Sequence, residues 1–216
     1  MKKSTSKNKS AKTQTKSGHS KSICVFCGAS QFVAPHYFQL AKESGQAIAK
    51  QGYRMVYGGG GIGLMGASAI AAHDAGGEVL GIIPEFLTEV EDVLEQIEHR
   101  IVADMHERKH LMYDESDAFI VLPGGIGTLE EAIEIMSWMR LHLHAKPMVF
   151  VDSNGYWAPL MDLLHHTIDA NFSPDWVKGH LLYEKTPQAA IKVIESQWKN
   201  PPSKGEIQIS KKIDKV

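Results

Sequence analysis

Residues 122–131 read Leu-Pro-Gly-Gly-Ile-Gly-Thr-Leu-Glu-Glu. A short apolar run ends at Pro123, and Gly124, Gly125 and Gly127 let the backbone come close to a ligand. An amphipathic pattern then runs over 128–141. The spacing therefore predicts a helix whose free amides and positive dipole end face the loop. An oxyanion such as phosphate is the natural guest there, with Thr128 as an added hydroxyl donor. Glu130 and Glu131 need their own account. Carboxylates in a first turn complement the dipole, but two of them beside a phosphate repel it unless they point elsewhere, for instance at sugar hydroxyls. The string suggests a site for the phosphate and ribose of a nucleoside 5′-monophosphate.

Three other constellations compete with this one. His106-Glu107-Arg108-Lys109-His110 matches H-E-x-x-H letter for letter, a zinc-ligand spacing on a helix. Arg108 and Lys109 lie between the two histidines, and two cations there oppose a dication. The segment reads better as an anion site, with Arg108 offering a planar fork of donors, and no metal is expected. Gly61-Ile62-Gly63-Leu64-Met65-Gly66 satisfies G-x-G-x-x-G, with Glu85 near the place of a ribose-binding acid. That fingerprint belongs after the first strand of its unit, and here it follows the second. Packing of the Ala-rich helix over 67–75 accounts for some of these glycines. Cys24-Val25-Phe26-Cys27 is a C-x-x-C inside a strand pattern, which favours a core role over redox chemistry. His142 and His144 follow the 128–141 helix, where a C-terminal position suits positive charge. Met136, Trp138 and Met139 make that helix bulky, as core or as a subunit contact.

These residues need a scaffold, and the pattern supplies one. Apolar runs at 22–27, 53–57, 78–83, 99–103, 118–122, 147–151 and 181–183 alternate with helical spacing at 36–51, 64–75, 104–114, 128–141, 156–169 and 187–198. In the first helix Tyr37, Leu40, Ala41, Ser44, Ala47 and Ile48 share a face, and Asp104 is placed to cap the third. Continuously apolar strands separated by helices imply an α/β fold, a Rossmann-like doubly wound parallel sheet, in a single domain. Both glycine-rich turns fall at carboxyl ends of strands, where such folds bind ligands.

At 216 residues, 43% hydrophobic and 22% charged, the chain has the composition of an ordinary soluble globular protein, with no run long enough to span a membrane. The net charge of −2 conceals an asymmetry. Residues 1–21 hold seven lysines and no acid, so removing their +7 leaves −9 for the remainder. That acidic body argues against nucleic acid as a ligand. The head, rich in Ser, Thr and Lys, reads as a disordered tail over 1–21. The domain then covers 22–198, followed by a loose tail over 199–216. Two cysteines and no apolar leader fit a reducing, cytoplasmic setting.

Gly58-Gly59-Gly60 with Gly63-Leu64-Met65-Gly66, then Met105-His106-Glu107-Arg108-Lys109, then Pro123 through Glu131 resemble the LOG family of cytokinin riboside 5′-monophosphate phosphoribohydrolases, over roughly residues 22–198. The resemblance implies hydrolysis of the N-glycosidic bond of N6-modified adenosine monophosphates, giving the free base and ribose 5-phosphate. Arg108 and Glu131 match the family's catalytic arginine and glutamate. Lys109 and the segment Gly124, Gly125, Ile126, Gly127, Thr128, Leu129 and Glu130 match its nucleotide contacts. Ser137 matches a threonine that touches the ligand, and Glu89 an upstream acid. Region 85–100 departs from the plant pattern, which leaves the preferred base open. The resemblance also implies a homodimer, formed through helix 128–141. The family's older label, lysine decarboxylase, finds no lysine in an S-x-H-K-like context: His19-Ser20-Lys21 lies in the basic head and does not match, and no cofactor is expected. Two alternatives stay open: an AMP nucleosidase, and a non-catalytic nucleotide-binding or carrier module of the same fold.

Overall fold

A computed structural model describes residues 21–152 and 154–201. The expectations for the basic head and the C-terminal tail fall almost wholly outside the described residues. In chain order the elements are β1 (Ser22–Phe26), α1 (Pro35–Lys50), β2 (Arg54–Tyr57), α2 (Gly63–Asp74), β3 (Val79–Pro84), β4 (Glu98–Val102), α3 (Met105–Asp114), β5 (Ala118–Val121), α4 (Ile126–Arg140), β6 (Met148–Val151), α5 (Ala158–Asp169), β7 (Leu182–Glu184) and α6 (Pro187–Lys199). Two short 3-10 turns, Glu85–Leu87 and Asp175–His180, were not foreseen from the pattern.

The strands form one sheet in the order β4-β3-β2-β1-β5-β6-β7, every neighbouring pair parallel. The central strands are buried along their whole length, which is why they read as unbroken apolar runs. Side chains alternate between the two faces. Ile23, Val25 and Cys27 of β1 and its end pack with α1, α2 and α6, whereas Cys24 and Phe26 pack with α3, α4 and α5. The C-x-x-C spacing therefore sends its two thiols to opposite faces, and both cysteines are free. The edge strand β4 carries Glu98, His99 and Arg100 and is partly exposed, a charged edge that resists further pairing.

Local signals explain where the site-bearing helices begin. Asp104 caps α3, accepting from the amides of His106 at 2.8 Å and Glu107 at 2.9 Å, and Glu107 reaches back to the amide of Ala103 at 2.7 Å. This reciprocal pairing anchors the first turn, and Arg108 follows it directly. α4 starts two residues earlier than the pattern suggests, at Ile126, because Gly125 itself serves as the N-cap, without a side chain to bond the free amides. α5 starts at Ala158 rather than 156, leaving Tyr156 in the preceding turn.

α1 and α2 approach so closely that a Cβ at Gly45 would collide with the backbone carbonyl of Ser68. Gly45→Ala is therefore expected to destabilise the fold, although alanine is the better helix former by about 1 kcal/mol. Overpacking of this kind costs about 1–3 kcal/mol. A thermal melt that rose on this substitution would show that the helices can part without loss.

Candidate active site

The strand order reverses beside β1. The chain leaves β1 towards β2 and leaves β5 towards β6, so the two connections diverge and open a crevice at the carboxyl ends. Backbone bonds tie its walls together: the Gly28 amide donates to the Pro123 carbonyl at 3.1 Å, and the Leu64 amide to the Gly28 carbonyl at 3.0 Å. The resulting cleft has a volume of about 470 Å³, the size of a small-molecule site. Residues 27–30, Val33 and Tyr37 form one wall, Leu64 and Met65 of α2 a second. Pro123, Gly124, Gly125, Gly127, Thr128 and Glu131 form the third, and Arg108, Glu91 and Tyr156 complete it.

Arg108 is 6% exposed. Its Nη2 donates to the Gly58 carbonyl at 3.0 Å, and Nη1 faces Met105 Sδ at 3.7 Å. Its Nε is buried with no hydrogen-bond partner among the described residues. A buried donor left unpaired costs about 1–3 kcal/mol. A Cβ at position 58 would press on the Arg108 guanidinium, and one at position 60 on the Glu91 carboxylate. The second glycine run is thus a seat for side chains arriving from elsewhere in the chain. Glu85, which the dinucleotide pattern would have used, is exposed and does not line the cleft.

Glu131 lies one turn into α4, and burial pushes its carboxyl from 4.5 up to about 7, against the opposing pull of the Arg108 guanidinium. Its neighbour in sequence fares differently. Lys109 bonds Glu130 at 2.5 Å and Glu134 at 3.1 Å, so Lys109 and Glu130 satisfy each other outside the cleft. One residue of helix is a rotation of about 100°, enough to put Glu130 in water and Glu131 in the cleft.

Of the residues singled out from sequence, Arg108, Gly124, Gly125, Gly127, Thr128 and Glu131 come together at the cleft. Lys109, Ile126, Leu129, Glu130, Ser137 and Glu89 do not line it. Ile126 is 84% exposed. Leu129 packs into the core face, while Ser137 and Glu89 are exposed. The acid that reaches the cleft from the region after β3 is Glu91, with Oε2 buried and without a hydrogen-bond partner among the described residues. The 85–97 segment folds back over the glycine run through an antiparallel bridge, Gly60 to Val93, and this irregular register selects Glu91. Tyr156 was not singled out either, since no local pattern marks a turn tyrosine as a cleft residue.

The competing motifs resolve the same way. Glu107 is engaged in capping, His106 and His110 are exposed, and His110 sits 3.5 Å from Asp114. Among the described residues no three His, Cys, Asp or Glu side chains are grouped to hold a metal. Cys27 borders the cleft, and burial pushes its thiol well above the usual range, which favours the protonated form.

A family model described as "possible lysine decarboxylase" matches residues 65–194. The chain is 43% identical to a cytokinin riboside 5′-monophosphate phosphoribohydrolase of Rhodococcoides fascians, over 82% of this chain and 90% of that one. It is 40% identical to the Arabidopsis thaliana phosphoribohydrolase LOG3, over 80% and 81%. In structure it resembles a molybdenum cofactor binding protein from Rippkaea orientalis, with TM-score 0.63 and 24% identity over 83% of this chain and 98% of that one. It also resembles the molybdenum cofactor carrier protein of Chlamydomonas reinhardtii, with TM-score 0.64 and 19% identity over 83% and 98%. These two likenesses concern the fold. Among the described residues no lysine lines the cleft.

The raised Glu131 pKa has a stability consequence. Between about pH 4.5 and 7 the folded chain keeps a proton that the unfolded chain has lost. The stability linked to this group is complete below 4.5 and is lost as pH rises through 7. Glu131→Gln is therefore expected to melt with the parent protein near pH 4 and above it at about pH 8. Equal melting temperatures at the higher pH would show that the carboxylate is not held in an unfavourable site.

Proposed function

The chain belongs to the family of cytokinin riboside 5′-monophosphate phosphoribohydrolases, and from that premise we propose that it hydrolyses the N-glycosidic bond of N6-modified adenosine 5′-monophosphates to the free base and ribose 5-phosphate. The observation that carries the reading is the meeting of three groups on one cleft: the glycine-rich start of α4, the buried Arg108 and the desolvated Glu131. Each suits a different part of such a substrate.

The amides of the first turn of α4 and the Thr128 hydroxyl receive the 5′-phosphate. Cleavage of C1′–N9 sends the bonding pair to the purine and leaves positive charge on the ribose ring. The Glu131 carboxylate stabilises that ring and takes a proton from the attacking water, whose oxygen bonds C1′. Arg108 opposes the negative charge growing on the departing base, which accepts the proton in turn. Glu91, in place of the Glu89 suggested by the sequence, supplies a second acceptor in the cleft for ribose hydroxyls. Because the phosphate lies remote from the broken bond, its binding positions the reacting atoms and raises rate as well as affinity.

A second copy of the chain is the proposed partner. Ile133, Leu141 and the following Leu143 are 41%, 54% and 65% exposed. Ile133 and Ser137 of α4 and Leu141 just after it follow helical spacing on one stripe, which assigns Ser137 to the proposed contact surface. Sedimentation should give a dimer that Ile133→Asp converts to monomer; a monomeric parent protein removes the partner. Among the described residues no helix is long and apolar enough to cross a membrane. The two free, buried thiols fit a cytoplasmic setting.

One assay tests the activity: free base released from isopentenyladenosine monophosphate, from its riboside and from AMP. Release from the first alone is expected, with kcat rising with pH through about 7 as Glu131 ionises. Equal turnover of riboside and monophosphate overturns the role of the loop. Preference for AMP makes the enzyme a nucleosidase, and binding without release makes it a carrier.

A further inference from the structure

We infer that Tyr156 is a positioning residue that sets the phosphate-binding loop by holding the Gly124 carbonyl, and so aims the Gly125 amide at the phosphate. The proposal rests on the phosphoribosyl reading of the cleft. Tyr156 lies in the turn after β6, far in sequence from the loop, yet its hydroxyl donates to the Gly124 carbonyl at 2.6 Å. A trans peptide is planar, with its C=O and N–H pointing in opposite directions. Fixing the carbonyl of residue 124 therefore fixes the direction of the amide of residue 125. That amide precedes the first helical turn, and no described residue accepts from it. Glycine at 124 and 125 gives this peptide plane more freedom than other residues would; the Leu129 amide holds the Gly125 carbonyl at 3.0 Å, and the Tyr156 hydroxyl adds a restraint on the plane before it.

The restraint is itself well anchored. The buried Asp152 at the end of β6 accepts from the Trp157 amide at 3.2 Å and the Asn154 amide at 2.8 Å. Its backbone carbonyl accepts from the Tyr183 hydroxyl at 2.8 Å. Trp157 is buried, and its ring meets the Tyr156 ring edge-on at 4.9 Å. On the other side Tyr156 meets Tyr37 of α1 edge-on at 5.7 Å, across the crevice mouth. The phenol is thus held by two aromatic contacts that do not depend on its hydroxyl. Removing the hydroxyl alone should release the loop and leave the wall in place.

Tyr156→Phe does this. The probes are ribose 5-phosphate, which has no glycosidic bond to a base, and adenosine, which has no phosphate, each titrated calorimetrically into the purified full chain. The variant is expected to bind ribose 5-phosphate roughly tenfold more weakly and adenosine within about twofold of the parent, as fits the loss of one positioned donor. Gly125→Pro removes the amide proton directly and should reproduce the selective loss. Tyr156→Phe added to it should then cost nothing more, because both changes act through one group. Unchanged ribose 5-phosphate binding in Tyr156→Phe overturns the proposal, as does a parallel loss for both probes. Additive losses in the double variant overturn it too. A parent protein that does not bind ribose 5-phosphate at all overturns the phosphoribosyl reading itself, an outcome visible before any variant is made.

Discussion

A guanidinium buried at the carboxyl ends of a parallel sheet calls for acceptors, and several segments of this molecule are arranged around that demand, although the Arg108 Nε meets none among the described residues. Arg108 reaches its place because Asp104 and Glu107 fix the first turn of α3. It finds an acceptor in the carbonyl of Gly58, whose missing side chain gives it room. Its charge acts on Glu131 from across the cleft. Three separate stretches of chain thus converge on one cation, and only the reversal of strand order between β1 and β5 brings them within reach of one another.

The carboxylate opposite answers to its burial and to the charges around it. Desolvation favours its neutral form and Arg108 favours its charged form, and desolvation prevails. A carboxyl poised near neutrality can both hold and surrender a proton under physiological conditions, which is what activation of a water requires. Glu130 stands in different surroundings. It has the same chemistry one residue away, but its partner is Lys109 and it borders water. The ion pairs of Lys109 with Glu130 and Glu134 keep a second cation out of the cleft while joining α3 to α4 beside it.

The walls of the cleft follow the same logic. Arg108 and Glu131 stand on helices, whereas Glu91 and Tyr156 reach the cleft from irregular segments. The Glu91 segment crosses the glycine run through a single bridge, and the turn carrying Tyr156 leans on the buried Asp152 and Trp157. Apolar contacts on both faces of the sheet give these loops a fixed base.

By itself the sequence determined the alternation of strands and helices, the parallel doubly wound sheet, and the glycine-rich start of α4. All of these are written in local patterns: period, capping residues, and glycine or proline at a strand end. Element boundaries moved by a residue or two where glycine replaced a side-chain cap, as at Gly125. Tertiary structure alone decided that Glu91 and not Glu89 enters the cleft, that Lys109 and Glu130 satisfy each other, that Gly58 makes room for a guanidinium, and that Tyr156 holds Gly124. Each depends on which non-adjacent segments meet and at what rotation. A one-residue change in register turns a side chain on a strand to the opposite face, or one on a helix by about 100°. Local residue type carries no record of that choice; strand order and loop path make it.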